Sequence, residues 1–145
     1  MTRPSAMNRR RALPLAVLLM LGCGVAFAAT ARQAVLDHYA ALARQEKPQF
    51  SGFSAGKGHA FFLAAPRTGE PDTPSCSTCH TRDPRNEGRT RAGKALAPMA
   101  VSLTETRFSD LAKVEKWFSR NCQTVYGRLC TAVEKGDFIA YMASQ

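Results

Sequence analysis

The sequence predicts an all-α chain, on three observations. Apolar residues recur at helical spacing in four separate stretches, no stretch alternates apolar and polar residues over a strand's length, and residues suited to helix caps stand just ahead of three of these stretches. The first helix is expected from Ala31 to Gln45, where Val35, Leu36, Tyr39, Leu42 and Ala43 share a face without an intervening Gly or Pro. His38 lies on it beside Asp37, as a solvated residue. Lys47-Pro48-Gln49 ends this helix, Phe50-Ser51-Gly52-Phe53 is a connector, and Ser54 caps a second helix to about Ala64. On that helix Gly58 and Phe62 stand i, i+4, so a glycine opens one face to close approach by another helix. Gly56-Lys57-Gly58 is no phosphate loop, because its spacing from Gly52 is short and Gly58 occupies the Ser/Thr position.

A Pro/Gly-rich turn follows over residues 66–74, and a polar, arginine-bearing loop runs from Arg82 to Lys94. The bland reading of that loop is a solvated surface; the sharper one turns Arg82, Arg85, Arg89, Arg91 or Lys94 toward carboxylates of a bound group or an acidic partner. Ser109 is expected to cap a third helix with an apolar stripe of Phe108, Leu111, Val114 and Trp117/Phe118, ending in a loop from Asn121 to Cys130. Thr131-x-x-Glu134 is a capping box that opens the last helix, Ala132 to about Met142, whose Phe138 and Tyr141 are placed to meet the Gly58/Phe62 face.

The N-terminus reads as an export signal. Arg9, Arg10 and Arg11 precede an apolar run from Leu13 to Val25, and Ala26-Phe27-Ala28 is a small-x-small cleavage site, so residues 1–28 are expected to be removed. The run is short for a membrane span, and Met20-Leu21-Gly22 ahead of Cys23 is a poor lipidation box. Residues 29–49 then form an N-terminal helical extension and residues 50–145 the principal domain. The whole chain carries a formal +9, but after cleavage sixteen basic side chains face eleven acidic ones, a charge of +5 that gives no basis for nucleic-acid binding.

Cys76-Ser77-Thr78-Cys79-His80 is the C-x-x-C-H pattern of covalent c-type haem attachment. Two thiols add across the porphyrin vinyl groups and the adjacent histidine becomes the proximal iron ligand. A zinc site would need two more ligands at suitable spacing, and a thioredoxin-type motif would sit in a βαβ pattern that is missing here. With Cys23 in the cleaved segment, Cys122 and Cys130 are left as a pair, expected to be a disulfide in an oxidising compartment.

The opposite face of the iron is less obvious. An electron-transfer haem usually has a second strong ligand, yet neither Met nor His occurs between Val101 and Tyr141, where a small cytochrome delivers it. Met142 lies near the end of the last helix, and Met99 follows Pro98, whose carbonyl is expected to accept from His80 Nδ1. The remaining donors are Lys113, Lys116, Lys135, Tyr126 and the Asn121 amide.

Several segments resemble the SHP family of oxygen-binding class I cytochromes c. They are Pro71 to His80, Thr90-Arg91-Ala92-Gly93-Lys94 with Ala97-Pro98, Arg107-Phe108-Ser109-Asp110 through Val114-Glu115-Lys116-Trp117, Arg120-Asn121-Cys122, and Gly127 to Thr131. The resemblance covers nearly all of residues 50–145. It implies a class I cytochrome c fold around one covalent haem, Asn121 as ferric ligand, a Cys122–Cys130 disulfide, and release of the asparagine on reduction to admit oxygen or nitric oxide. Electron donors of the di-haem cytochrome c type, linked to a membrane cytochrome b, are implied with it. Such a protein is a periplasmic electron-transfer and gas-binding haem protein rather than a dedicated enzyme. The competing expectation is a conventional low-potential electron carrier whose sixth ligand, Met99 or a lysine, never leaves.

Overall fold

The computed structural model describes residues 19–145. Helix α1 spans Leu19–Glu46, so the helix expected over 31–45 is its C-terminal part. Arg9 to Arg11 and the start of the apolar run lie outside the described residues, and α1 passes unbroken through Ala26-Phe27-Ala28. Among the described residues no helix is long and apolar enough to cross a membrane. Helix α2 is Ala55–Leu63, α3 a single turn at Ser77–His80, α4 Leu111–Tyr126 and α5 Ala132–Ala143. The loop expected from Arg82 to Lys94 contains the first of two short strands, β1 at Gly88–Arg89, which pairs antiparallel with β2 at Ala95–Leu96. This hairpin corrects the expectation of a chain without strands. Thr90 N donates to Lys94 O at 2.9 Å, and Gly93, at φ +78°, supplies the left-handed turn residue.

One apolar core is shared by four helices. Val35, Tyr39 and Ala43 of α1 are buried with Phe62 of α2, Val114, Phe118 and Val125 of α4, and Phe138, Ile139 and Met142 of α5. Tyr39 is fully buried and meets Phe118 edge-on at 6.3 Å, an aromatic geometry that adds to plain burial. Lys135 Nζ lies 5.2 Å from the Tyr39 ring centroid and donates to both Glu115 carboxylate oxygens at 2.9 and 3.1 Å, so α1, α4 and α5 also meet at a charged pair.

The helix ends follow from local chemistry. Ser54 Oγ accepts from Lys57 N at 3.3 Å, and Asp137 of α5 accepts from Ser54 N at 2.7 Å. Thr131 and Glu134 form the expected capping box, and Arg128 donates to the Glu134 carboxylate at 2.6 and 2.8 Å. At α4 the cap is Asp110 rather than Ser109. The Asp110 carboxylate accepts from Lys113 N at 3.1 Å, whereas Ser109 Oγ donates to Thr106 O at 2.7 Å. Both residue types cap helices, but the carboxylate also meets the positive end of the helix dipole. The expected Asn121–Cys130 loop is largely helical too: α4 continues through Tyr126, because nothing breaks it before Gly127, whose φ of +65° makes the left-handed C-cap.

Helices α2 and α5 touch through Gly58. A Cβ there would overlap the Asp137 backbone carbonyl and come within 2.8 Å of Tyr141 Cβ, so the meeting of the Gly58/Phe62 face with Phe138 and Tyr141 is as expected. Gly58→Ala is expected to lower stability by about 2–3 kcal/mol in denaturant titration, since backbone must move. Gly56→Ala, whose new methyl would find only Ser54 Oγ at 3.8 Å, is expected to leave stability unchanged or raise it by up to about 1 kcal/mol.

Candidate haem site

Cys76, Cys79 and His80 are gathered by one helical turn. His80 N donates to Cys76 O at 3.2 Å, and the residues between the cysteines tighten the turn, with Ser75 Oγ lying 2.8 Å from Ser77 Oγ and 3.1 Å from Thr78 Oγ1. The i, i+3 and i, i+4 spacings put both thiols and the imidazole on one side. Thr81 ends the turn at φ +60°, a conformation rare for a β-branched residue, and its hydroxyl donates to Asp83 O at 2.6 Å. The two cysteines are free and partly buried, not joined to each other. Among the described residues no group of three His, Cys, Asp or Glu side chains gathers as a metal cluster.

The segment leading into the motif is docked on the C-terminal end of α4. Thr68 Oγ1 donates to Tyr126 O at 2.8 Å and Glu70 N donates to Thr124 O at 2.7 Å. Tyr126 stacks on Phe61 at 4.6 Å and donates its hydroxyl to Phe61 O at 2.6 Å. An open pocket lined by Gly69, Pro71, Pro74 and Val125 lies between this segment and α4.

His80 has its own support. Gly88 of β1 packs against it so closely that a Cβ would overlap the Cys79 carbonyl and lie 3.0 Å from His80 Cα. Pro84 O, four residues beyond His80, accepts from both Met99 N and Ala100 N, at 2.8 and 2.9 Å. Burial chiefly, and the charge of Arg107 second, pull the imidazole down to about 4. The ring is therefore neutral over the physiological range, as an iron ligand must be. Pro98 O is not hydrogen-bonded to His80, contrary to expectation. It accepts from Arg107 Nε and Thr104 Oγ1, each at 3.0 Å, which occupies both lone pairs of the carbonyl.

The donors available for the opposite face separate by their engagements. Lys135 is held by Glu115, Tyr126 by Phe61 O, and Lys113 pairs with Asp110 at 3.4 Å. Lys116 projects about 140° around the helix from Asn121, on the solvent side. Met99 is buried in the core at 8% exposure, and Met142 is fully buried. His38 and His59 are exposed, the latter against the Tyr141 ring at 4.8 Å. Asn121 is exposed and its amide makes no hydrogen bond among the described residues. It nevertheless sits on the α4 face that buries Val114, Phe118 and Val125, one turn from Trp117. Trp117 of the apolar stripe is 54% exposed among the described residues, beside Arg120, whose guanidinium carbon lies 6.0 Å from the ring centroid. Directly after Asn121, Cys122 is joined to Cys130 with a Cα–Cα distance of 5.7 Å, so the expected disulfide is present.

Three of the loop arginines pair with carboxylates of this chain. Arg85 pairs with Asp83 at 3.9 Å, Arg89 with Glu87 at 3.7 Å, and Arg91 with Glu70 and Asp72 at 3.3 and 3.6 Å, all on exposed side chains. Sequence reasoning missed Gly88 and Arg107 as parts of the site. Arg107 was visible only as a member of a family motif, and Gly88 as one more loop glycine.

Two free thiols and a neutral, supported histidine on one helical turn, inside an all-α fold, define a c-type cytochrome. A family model described as "Domain of unknown function (DUF1924)" matches residues 48–142. The chain is 53% identical over 91 residues to the cytochrome c-type protein SHP of Cereibacter sphaeroides, covering 63% of this chain and 70% of that one. It is 32% identical over 108 residues to cytochrome c'' of Methylophilus methylotrophus, covering 74% and 75%. The structure of oxidised SHP, described as an oxygen-binding cytochrome c, superposes with a TM-score of 0.72 at 45% identity, covering 79% of this chain and 96% of that one. A solution structure of the Methylophilus methylotrophus cytochrome c'', described in terms of haem-ligand detachment, gives 0.69 at 30% identity, covering 80% and 94%. The chain belongs to the SHP family of c-type cytochromes and carries one covalent haem c.

The close contact at Gly88 yields a test of the attachment geometry. Gly88→Ala is expected to displace the Cys79–His80 backbone, costing about 1–3 kcal/mol and lowering the haem-to-protein ratio measured by pyridine haemochrome. Wild-type stability with full haem loading would show that β1 does not constrain the motif.

Proposed function

We propose that this chain is a periplasmic mono-haem cytochrome that accepts an electron and, once reduced, exchanges an asparagine ligand for a diatomic gas, oxygen or nitric oxide. The observation that carries this reading is Asn121. It stands exposed and unbonded on the edge of the buried face of α4, its backbone fixed by the adjacent Cys122–Cys130 bond, while the competing donors are buried or engaged elsewhere. In the bound state haem supplies the redox-active iron. The chain supplies His80 from the side braced by Gly88 and Pro84, and Asn121 from α4.

An amide oxygen is a neutral, hard and weak donor that suits Fe(III) better than the softer Fe(II). Reduction therefore weakens that bond more than the imidazole bond, and a helix tethered by a disulfide need not move for one side chain to swing away. The oxygen-binding description of the SHP relative and the haem-ligand detachment described for cytochrome c'' support the same sequence of events. The export signal in residues 1–28 supports the periplasmic assignment. Similarity to SHP makes a di-haem cytochrome c, supplied by a membrane cytochrome b, the electron donor we propose. The runner-up, a permanent Met99 ligand, is disfavoured because Met99 is buried in the core and its backbone is tied to Pro84 on the His80 side.

Asn121→Ala is expected to convert the ferric spectrum from low-spin to high-spin or water-ligated, with the ferrous spectrum nearly unchanged. Met99→Ala is expected to leave the ferric spin state as it is. A silent Asn121→Ala together with loss of the low-spin signal in Met99→Ala would replace this reading with that of a conventional electron carrier.

A further inference from the structure

The segment that leads to the attachment turn and the helix that carries Asn121 meet backbone to backbone at two glycines. A Cβ at Gly69 would overlap the Thr124 carbonyl and the Val125 backbone of α4. A Cβ at Gly127, just past α4, would in turn overlap the Thr68 carbonyl. Gly127 takes the left-handed conformation of a C-cap, but Gly69 has no positive φ, so its missing side chain serves the close approach alone. Hydrogen bonds fasten the joint on both sides of Gly69. Thr68 Oγ1 donates to Tyr126 O at 2.8 Å, and Glu70 N donates to Thr124 O at 2.7 Å. Both acceptors belong to the last turn of α4, where carbonyls have no intrahelical partner.

Each side of the joint leads by a short, bonded path to the site. On one side Thr73 N donates to Glu70 O at 3.0 Å and His80 N donates to Cys76 O at 3.2 Å. Thr73 and Ser75 are buried between those bonds, so the chain from Gly69 to the thiols is a run of turns rather than a free linker. On the other side Asn121 stands one helical turn before Thr124.

We propose that this joint, with Gly69 and Gly127 as its positioning residues, sets the separation between the attachment turn and Asn121, and so lets a weak amide donor compete with water for the ferric iron. The proposal rests on the asparagine reading given above. An amide oxygen and a water oxygen are similar donors, both neutral and hard, and water is in large excess. Intrinsic affinity therefore does not select asparagine. A preset position does, because a donor already held in place gives up little translational or rotational freedom on binding. Contacts between backbones suit that task, since they have no rotamers through which to yield. The joint is without effect on the ferrous iron, from which the asparagine has gone.

The test uses holoprotein matured in a host that makes c-type cytochromes, and two probes. Imidazole must displace Asn121 from the ferric iron, whereas carbon monoxide meets a ferrous iron that Asn121 has already left. Gly69→Ala is expected to tighten ferric imidazole binding by on the order of tenfold, because backbone must move apart where a methyl group does not fit. Thr68→Val, which removes one hydrogen bond and keeps the shape, is expected to tighten it about threefold. Carbon monoxide affinity is expected to be unchanged in both. Gly93→Ala strains a left-handed hairpin residue whose Cβ would meet nothing within 4 Å, so it should lower the thermal midpoint and leave both affinities as in wild type. In the Asn121→Ala background, Gly69→Ala is expected to add nothing.

Wild-type imidazole affinity in Gly69→Ala or Thr68→Val would overturn the proposal, as would an equal change in carbon monoxide affinity or a Gly93→Ala protein that gains imidazole affinity as Gly69→Ala does. Should Gly69→Ala not mature, Thr68→Val decides alone. If Asn121→Ala itself leaves imidazole affinity unchanged, the asparagine reading falls and this proposal with it. If Asn121→Ala tightens imidazole binding and the joint variants do not, this proposal alone falls.

Discussion

At Gly58 the backbones of α2 and α5 approach so closely that a single methyl group would not fit, and the rest of the architecture hangs from that contact. The approach is reciprocal, since Gly136 of α5 leaves the space taken by the Phe53 ring ahead of α2. The Asp137 carboxylate meanwhile accepts the Ser54 amide at the α2 cap. The start of α2 is thus set by α5, and near its C-terminus Phe62 meets Phe138 at 6.0 Å, so the chain leaving α2 enters the haem-bearing segment from a fixed point and docks on the last turn of α4 through Thr68 and Glu70. At its own start α5 is joined to α4 by the Cys122–Cys130 bond. One interhelical contact therefore positions the helix that carries Asn121 and the segment that delivers the thiols.

The two sides of the site are held by different means, and the proposed function draws on both. On the His80 side, Gly88, Pro84, Met99, Thr104 and Arg107 form a continuous set of close contacts and hydrogen bonds. On the α4 side the backbone is restrained by helix and disulfide, but the Asn121 side chain has no hydrogen-bond partner among the described residues. A firm backbone behind a single side chain suits a ligand exchange confined to that side chain. Closing the eight-residue Cys122–Cys130 separation removes unfolded-chain entropy worth roughly 2–3 kcal/mol, so the firm backbone does not have to come from packing around Asn121 itself.

Much of this was legible in the sequence because it is local. The C-x-x-C-H pattern, the Ser54 cap, the Thr131/Glu134 box and the i, i+4 pair of Gly58 and Phe62 each depend on residues within one or two turns, and each appears as expected. What was misread depends on choices that local chemistry leaves balanced or on distant partners. Ser109 and Asp110 both cap helices, and the dipole favours the second. The extent of α4 turned on whether Asn121 or Gly127 stops it, and only Gly127 takes the left-handed conformation. Two-residue strands carry too little alternation to be seen, although Gly93 in Thr90-Arg91-Ala92-Gly93-Lys94 is a hairpin signal. The grip of Arg107 on Pro98, nine residues back along the chain, has no sequence signature at all.

The proposed gas binding requires that reduction open the iron. The most direct measurement is the absorption spectrum of the full-length mature holoprotein, recorded ferric, then reduced without oxygen, then titrated with carbon monoxide. A low-spin ferric spectrum, a high-spin five-coordinate ferrous spectrum and a stoichiometric shift of the Soret band with carbon monoxide are predicted. A ferrous spectrum that stays low-spin and does not respond to carbon monoxide would contradict the account, and would mean that the sixth ligand never leaves.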